Sequence, residues 1–219
     1  MPASDELLDE LDHLATVEHA LCVQYLFLDC ALVEPGSAFN LALTAMSQIR
    51  QVNDVLVTAG LTGNLARAEA VRATPPVPFA PLVAGGIDLA RQSLIAVAVD
   101  RRYATARALL DSDPAVDSDL RDRIAGALDG GAGHAAAFES LRESLPEVYL
   151  RRVREPADEG ETTLRSIGLR EYNLIVQLLQ EHFTGANGLT LLAIARDAMR
   201  TLQEVFFLLT ERDLLPRFD

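Results

Sequence analysis

The stretch that decides the fold of this chain is residues 5–33, with the sequence DELLDELDHLATVEHALCVQYLFLDCALV. Its apolar residues recur at steps of three and four, which is the spacing of one face of an α-helix. That face consists of Leu7, Leu11, Leu14, Glu18, Leu21, Tyr25, Leu28 and Leu32. Glu18 is its only carboxylate. A carboxylate turned toward an apolar interior is costly unless it is paired, protonated or bound to a cation, so the sequence predicts a buried partner for Glu18.

Five later segments have the same helical periodicity. We predict helices over residues 37–59, 86–110, 116–145, 164–183 and 189–213. The first two helices are joined by a short connection, and so are the third and fourth. About 25 residues with the proline-rich sequence Thr74–Pro81 separate the two pairs. Two helical hairpins joined by one long crossover are the connectivity of ferritin-like bundles. The sequence therefore predicts an all-α protein, a ferritin-like four-helix bundle with two C-terminal helices.

We expect a single domain over residues 1–219. Its bundle occupies about residues 4–145, and a charged linker follows over residues 146–163. The C-terminal helix pair occupies residues 164–213 and turns at Gly185–Gly188. Both of its helices carry an apolar stripe, so we expect them to dock on the bundle.

Composition excludes several kinds of function. The net charge of −13 would repel a nucleic-acid backbone and an anionic membrane surface, and all 19 basic residues are arginine. Without lysine the chain has no Schiff-base chemistry and no P-loop lysine. No uncharged run is long enough for a membrane span, and the amino terminus is acidic where a secretory signal would be basic. We expect a cytoplasmic protein, with a homodimer as one possible assembly.

Carboxylate-bridged metal bundles offer a template for the centre. Two of their helices each supply one Glu, and the other two each supply Glu-x-x-His. Here the first helix supplies Glu18, and the second has Ala45–Gln48 at the matching depth. On the third helix Asp100 ends an apolar run, and the fourth has Gly131–His134, which keeps only the histidine.

At these positions the chain resembles the ferritin-like domain of the iminophenylpyruvate dimer synthase type. That family occurs in bisindole pathways such as those of violacein and rebeccamycin, and in other bacterial secondary-metabolite clusters. The resemblance covers most of the chain, including the C-terminal helices. It is carried by Leu14–Leu26, Val52–Gly60, the proline-rich crossover and the His134-x-x-x-Phe138 pair.

By this resemblance, Glu18 and His134 correspond to metal ligands of the first and fourth helices. Three of the family's six ligands are missing, which argues against a two-metal centre. A single iron or manganese ion held by Glu18, Asp100 and His134 is one alternative, and no metal is the other. Glu18 could instead pair with an arginine or a tyrosine, and His134 could be an ordinary core histidine. Asp100 could turn outward to Arg101 or Arg102.

Small residues replace large ones at the predicted centre. Ala45 and Gly131 stand where the family has glutamates, so they leave space that a ligand, a water molecule or another side chain could fill. Gln48 suits recognition of a carbonyl or an amide, and Tyr25 and Tyr103 could line the same space. We take these five residues as candidate substrate contacts, and helices that simply close over the small residues as the alternative.

The remaining histidines and the two cysteines have no predicted role at the centre. We assign His13, His19 and His182 to the surface. Cys22 and Cys30 are too far apart on one helix to form a disulfide, and we expect reduced thiols.

The preferred functional hypothesis is a tailoring enzyme of secondary metabolism that acts on a small organic intermediate in the bundle centre. Glu18 and His134 would be its catalytic groups. Without metal they would form an acid/base pair, and with metal the reaction would be an oxidation with molecular oxygen. The alternative is a non-catalytic protein that binds a ligand or a partner protein. Iron storage is disfavoured because half of the ligands are absent.

Overall fold

The structure is a computed structural model that describes residues 3–185 and 188–218. In chain order its elements are α1 (Asp5–Ala31), α2 (Phe39–Thr58), β1 (Ala70–Val71), β2 (Val77–Pro78), a short 3₁₀ helix (Ala84–Gly86), α3 (Leu89–Ser112), α4 (Ser118–Gly131), α5 (His134–Ser144), α6 (Glu159–Phe183) and α7 (Gly188–Glu211). The predicted turn at Gly185–Gly188 lies partly outside the described residues, because it includes Ala186 and Asn187.

Four helices form the bundle. α1 packs against α2 and α3, and α4 packs against the same two helices. α1 and α2 make one hairpin, α3 and α4 make the other, and residues 59–88 cross between them. The predicted connectivity of two hairpins and one long crossover is confirmed.

α6 and α7 form a third hairpin, which packs against α1 and α2. Because α1 is covered by this hairpin as well as by the bundle, nearly all of its side chains are buried. Both His13 and His19 are only 6% exposed. Their assignment to the surface was wrong, because it considered only the face of α1 that turns toward the bundle centre. His182, which was also assigned to the surface, is partly buried.

The fourth predicted helix is broken. α4 ends at Gly131 and α5 begins at His134, because Gly133 adopts a left-handed conformation with φ of 103° that suits glycine. Asp100 of α3 stabilises the break by accepting hydrogen bonds from the backbone N–H groups of Gly133, His134 and Ala135 at 3.1, 2.9 and 3.0 Å. These are groups that a helix leaves unpaired at its amino end. Asp100 therefore holds the turn that presents His134 to the bundle.

Two other segments differ from the prediction. The crossover contains the short antiparallel pair β1–β2, which is too brief to show a periodic pattern in sequence. α6 begins at Glu159, inside the predicted linker, because the Asp158 side chain accepts a hydrogen bond from the Glu161 N–H at 2.8 Å and caps the helix.

Cys22 and Cys30 are free thiols, as predicted, and both are buried. Within residues 3–185 and 188–218, none of the helices combines the length and apolar character that crossing a membrane requires.

Candidate functional site

The centre of the bundle is built around the Glu18 carboxylate of α1, which is 0% exposed. Its Oε1 accepts a hydrogen bond from the Tyr103 hydroxyl of α3 at 2.6 Å. The Nε2 of His134, at the start of α5, lies 2.9 Å from the same oxygen. Glu18 and His134, predicted from the sequence to share this centre, are therefore in direct contact. The buried Glu18 thus has two partners, Tyr103 and His134.

The carboxylate sets the protonation of both partners. Burial alone would lower the pKa of His134, but the charge and the hydrogen bond of Glu18 outweigh burial and raise that pKa above its ordinary value of 6.5. Burial, together with the charge of Glu18, raises the pKa of Tyr103 well above 10. Tyr103 is therefore a neutral hydrogen-bond donor, and the imidazole of His134 is stabilised in its protonated form.

Tyr103 occupies the space that Gly131 leaves open. A Cβ placed on Gly131 would overlap the ring and the hydroxyl of Tyr103. The template has a glutamate at this position, and here the phenol of a facing helix takes its place beside Glu18. The space that the missing glutamate leaves at Gly131 is therefore filled by another side chain of the protein, that of Tyr103.

The other predicted contacts are also buried in the bundle. Ala45 is 0% exposed, Gln48 is 3% exposed, and Tyr25 is 1% exposed and stacks on Phe138 with 6.1 Å between ring centroids. Three polar atoms of this region have no hydrogen-bond partner among the described residues: Glu18 Oε2, the Tyr25 hydroxyl and Gln48 Oε1. Buried polar atoms are usually paired, so these three mark places where a water molecule or a polar ligand atom would be stabilised.

The residues present do not fit the two-metal centre of the template. In the described ranges, no three His, Cys, Asp or Glu side chains come together as a group that could hold a metal ion. Asp100, the predicted third ligand, accepts hydrogen bonds from the backbone at the start of α5. It does not join Glu18 and His134 in a three-residue metal-binding group, and it does not form the alternative ion pair with Arg101 or Arg102. Glu18 and His134 alone provide fewer ligands than carboxylate-bridged metals require.

A second polar pair, missed from the sequence, lies on a neighbouring face of α1. His19 Nδ1 is 2.7 Å from the Leu65 carbonyl oxygen, to which it donates, so its Nε2 accepts from the Tyr172 hydroxyl at 2.9 Å. Burial lowers the pKa of His19, which is therefore neutral. Tyr172 is 153 positions away in the chain, and no local pattern in the sequence indicates such a contact.

The fold and centre thus define a helical bundle with a buried carboxylate that is held by protein groups. No protein-family model matches the chain, and no curated protein matches it. Among solved structures, it is similar to a ferritin-like protein from Caulobacter vibrioides, with a TM-score of 0.73, 13% sequence identity, and coverage of 100% of this chain and 99% of that one. The chain has an all-α, ferritin-like fold. At this identity the likeness shows the fold alone, and the comparisons do not support the finer resemblance to the iminophenylpyruvate dimer synthase type.

The packing of Tyr103 against Gly131 gives a stability prediction. Gly131→Ala should lower the free energy of unfolding by about 1–3 kcal/mol, because the added methyl group forces the ring away from Glu18. Gly126→Ala on the same helix is the matched control. Its Cβ would meet no heavy atom within 4 Å, so it should raise stability by about 0.5–1 kcal/mol. Urea unfolding checks both variants, and equal effects would contradict the packing described.

The contact between Glu18 and His134 gives a pH prediction. The pKa of His134, followed by NMR of its imidazole, should lie above 6.5 in the wild type and fall in Glu18→Gln, where burial is no longer opposed by the carboxylate. Because folding raises this pKa, the stability that it contributes is complete below pH 6.5 and is lost as pH rises through the folded-state value. The stability advantage of the wild type over His134→Gln should therefore shrink at alkaline pH. A His134 pKa that Glu18→Gln leaves unchanged would rule out this coupling.

Proposed function

We propose that this chain is a ferritin-like enzyme that moves a proton on a small organic molecule, with Glu18 and His134 as its acid/base pair. The observation that carries the proposal is the asymmetry of the buried Glu18 carboxylate. Its Oε1 is held by Tyr103 and His134, whereas its Oε2 has no hydrogen-bond partner among the described residues. An oriented carboxylate with one free oxygen is the arrangement that a general base requires.

The proposed step balances without an oxidant or a cofactor. Glu18 Oε2 accepts a proton from one atom of the substrate, and protonated His134 gives a proton to another atom. The proton held by Glu18 then passes to His134 across their 2.9 Å contact, which restores both groups. Tyr103 keeps its own proton, because its pKa is raised, and it holds the carboxylate in position. A shift of one proton between two atoms is sufficient for an isomerisation or a cyclisation, and no redox change accompanies it.

The sequence resemblance supports the finer part of the proposal. The segment Leu14–Leu26 and the His134-x-x-x-Phe138 pair are similar to those of ferritin-like enzymes from secondary-metabolite clusters. We therefore propose a tailoring step on an intermediate of secondary metabolism, in the cytoplasm. Gln48 and Tyr25 are the proposed substrate contacts, because each has a buried polar atom that lacks a partner in the described part of the chain.

A second candidate is a non-catalytic ligand-binding protein that descends from such enzymes. The observation in its favour is that the ring of Tyr103 fills the space beside Gly131, which reduces the room for a substrate next to Glu18. In this alternative the Glu18, Tyr103 and His134 network is structural, and it serves to satisfy a buried charge.

Genetic complementation separates the two candidates. The gene is deleted from its own host and returned as wild type, Glu18→Gln or Glu143→Gln, and small-molecule extracts are compared by mass spectrometry. We expect the deletion strain to accumulate an intermediate that the wild type consumes and that Glu18→Gln does not consume, because an amide cannot take the proton. Glu143 is exposed on α5, so Glu143→Gln is the matched control and should behave as wild type.

Folding must be measured in parallel. Purified Glu18→Gln should remain folded, with a melting temperature lowered only by the loss of the Glu18–His134 charge interaction, since the amide oxygen can still accept both hydrogen bonds. If Glu18→Gln restores the wild-type metabolite profile, or if deletion changes no metabolite, the catalytic proposal is wrong. The non-catalytic candidate then stands.

A further inference from the structure

A cavity of about 130 Å³ lies between α1, α2, α6 and α7, against the face of α1 next to the one that carries Glu18. Its walls are mainly leucine, isoleucine, valine, methionine and phenylalanine side chains. An apolar cavity of this order, about 150 Å³ in an engineered protein, stays dry and binds benzene. The cavity opens partly to the surface, where the lining residues Leu43 and Gln203 are exposed, and its enclosed part favours an apolar body of about one small ring.

The polar side chains that line this cavity are uncharged, namely His19, Tyr172, Gln203 and Cys22. His19 donates through Nδ1 to the Leu65 carbonyl oxygen and accepts the Tyr172 hydroxyl proton at Nε2, and both His19 and Tyr172 line the cavity. The hydroxyl proton of Tyr172 goes to His19, so the Tyr172 oxygen can only accept hydrogen bonds. The Arg67 guanidinium acts on one of its two acceptor positions, which leaves the other for a ligand. A ligand that is recognised here should carry a donor.

Among the described residues, none of the side chains that line the cavity carries a charge, which argues for a neutral ligand. Burial keeps His19 neutral by lowering its pKa, and it raises the pKa of Tyr172 to about 12. Cys22, another lining residue, has a pKa raised to about 12 by burial and by the charge of Glu18, so it stays a thiol. The guanidinium of Arg67 does not line the cavity; it donates to the Phe218 carbonyl oxygen and also lies close enough to the Tyr172 hydroxyl to oppose the rise in its pKa.

We propose that this cavity is a binding site for small, neutral molecules that combine an apolar ring or chain with one hydroxyl group, the hydroxyl donating to the Tyr172 oxygen. The site is separate from the Glu18 centre and does not rest on the function proposed for it. The two sites lie on neighbouring faces of the same stretch of α1, with Cys22 between them.

The test uses phenol and toluene, which have nearly the same shape but differ in the hydroxyl group. Both should bind the wild-type protein, as measured by isothermal titration calorimetry and by NMR shifts of cavity methyl groups. Tyr172→Phe should weaken phenol by about five- to tenfold, the worth of one hydrogen bond, and should leave toluene within about twofold. A general loosening of the fold would weaken the binding of both ligands, so comparing the two ligands in one variant isolates the effect of the hydroxyl group.

Variants in which a larger side chain fills the cavity test whether the probes bind there. Val176→Phe and Leu179→Phe each place a ring in the cavity and should abolish binding of both probes, and either one suffices if the other does not fold. Leu94→Phe is the matched control, because Leu94 is 64% exposed on α3 and lies outside this cavity. Glu18→Gln should bind phenol as the wild type does, so that this inference and the proposed catalytic function fail separately.

Three results would overturn the inference. The first is no binding of either probe to the wild type at millimolar concentrations, and the second is binding that the folded filling variants leave unchanged. The third is an equal loss of affinity for phenol and for toluene in Tyr172→Phe, which would show that Tyr172 is not the group that recognises the hydroxyl.

Discussion

The constraint on which the rest of this structure depends is the buried carboxylate of Glu18. A charge that is fully removed from water must be compensated by groups that reach it with good geometry. Tyr103 and His134 meet this requirement from two other helices, and Asp100 holds the turn from which His134 projects. Three helices are thereby tied to one oxygen atom, and the break between α4 and α5 follows from the same need.

This centre also explains why glycine stands at position 131. In the template that position carries a carboxylate, whose purpose is to balance metal charge. Once the Tyr103 ring lies against the helix, any side chain at Gly131 would collide with it. Glycine and tyrosine are therefore complementary, and together they turn a position for a metal ligand into a position for a hydrogen-bond donor.

Local patterns in the sequence were sufficient for the fold and for part of the centre. The apolar steps of residues 5–33 and the long proline-rich crossover gave the two hairpins, and the charge of Glu18 on that seam pointed to a buried partner. The contact of Tyr103 with Glu18 required knowing the relative rotation of α1 and α3, which packing decides. His19 was misplaced for the same reason, because its partner Tyr172 belongs to a hairpin far along the chain. The break at Gly133 was missed because the apolar stripe continues across it.

The most direct test of the central claim, that protein groups rather than metal ions compensate Glu18, is elemental analysis. The protein would be purified without a metal-affinity column from cells supplied with iron and manganese, and its metal content compared with that of Glu18→Gln. The account predicts iron and manganese far below one ion per chain in both proteins. A stoichiometric metal in the wild type that is lost in Glu18→Gln would contradict it.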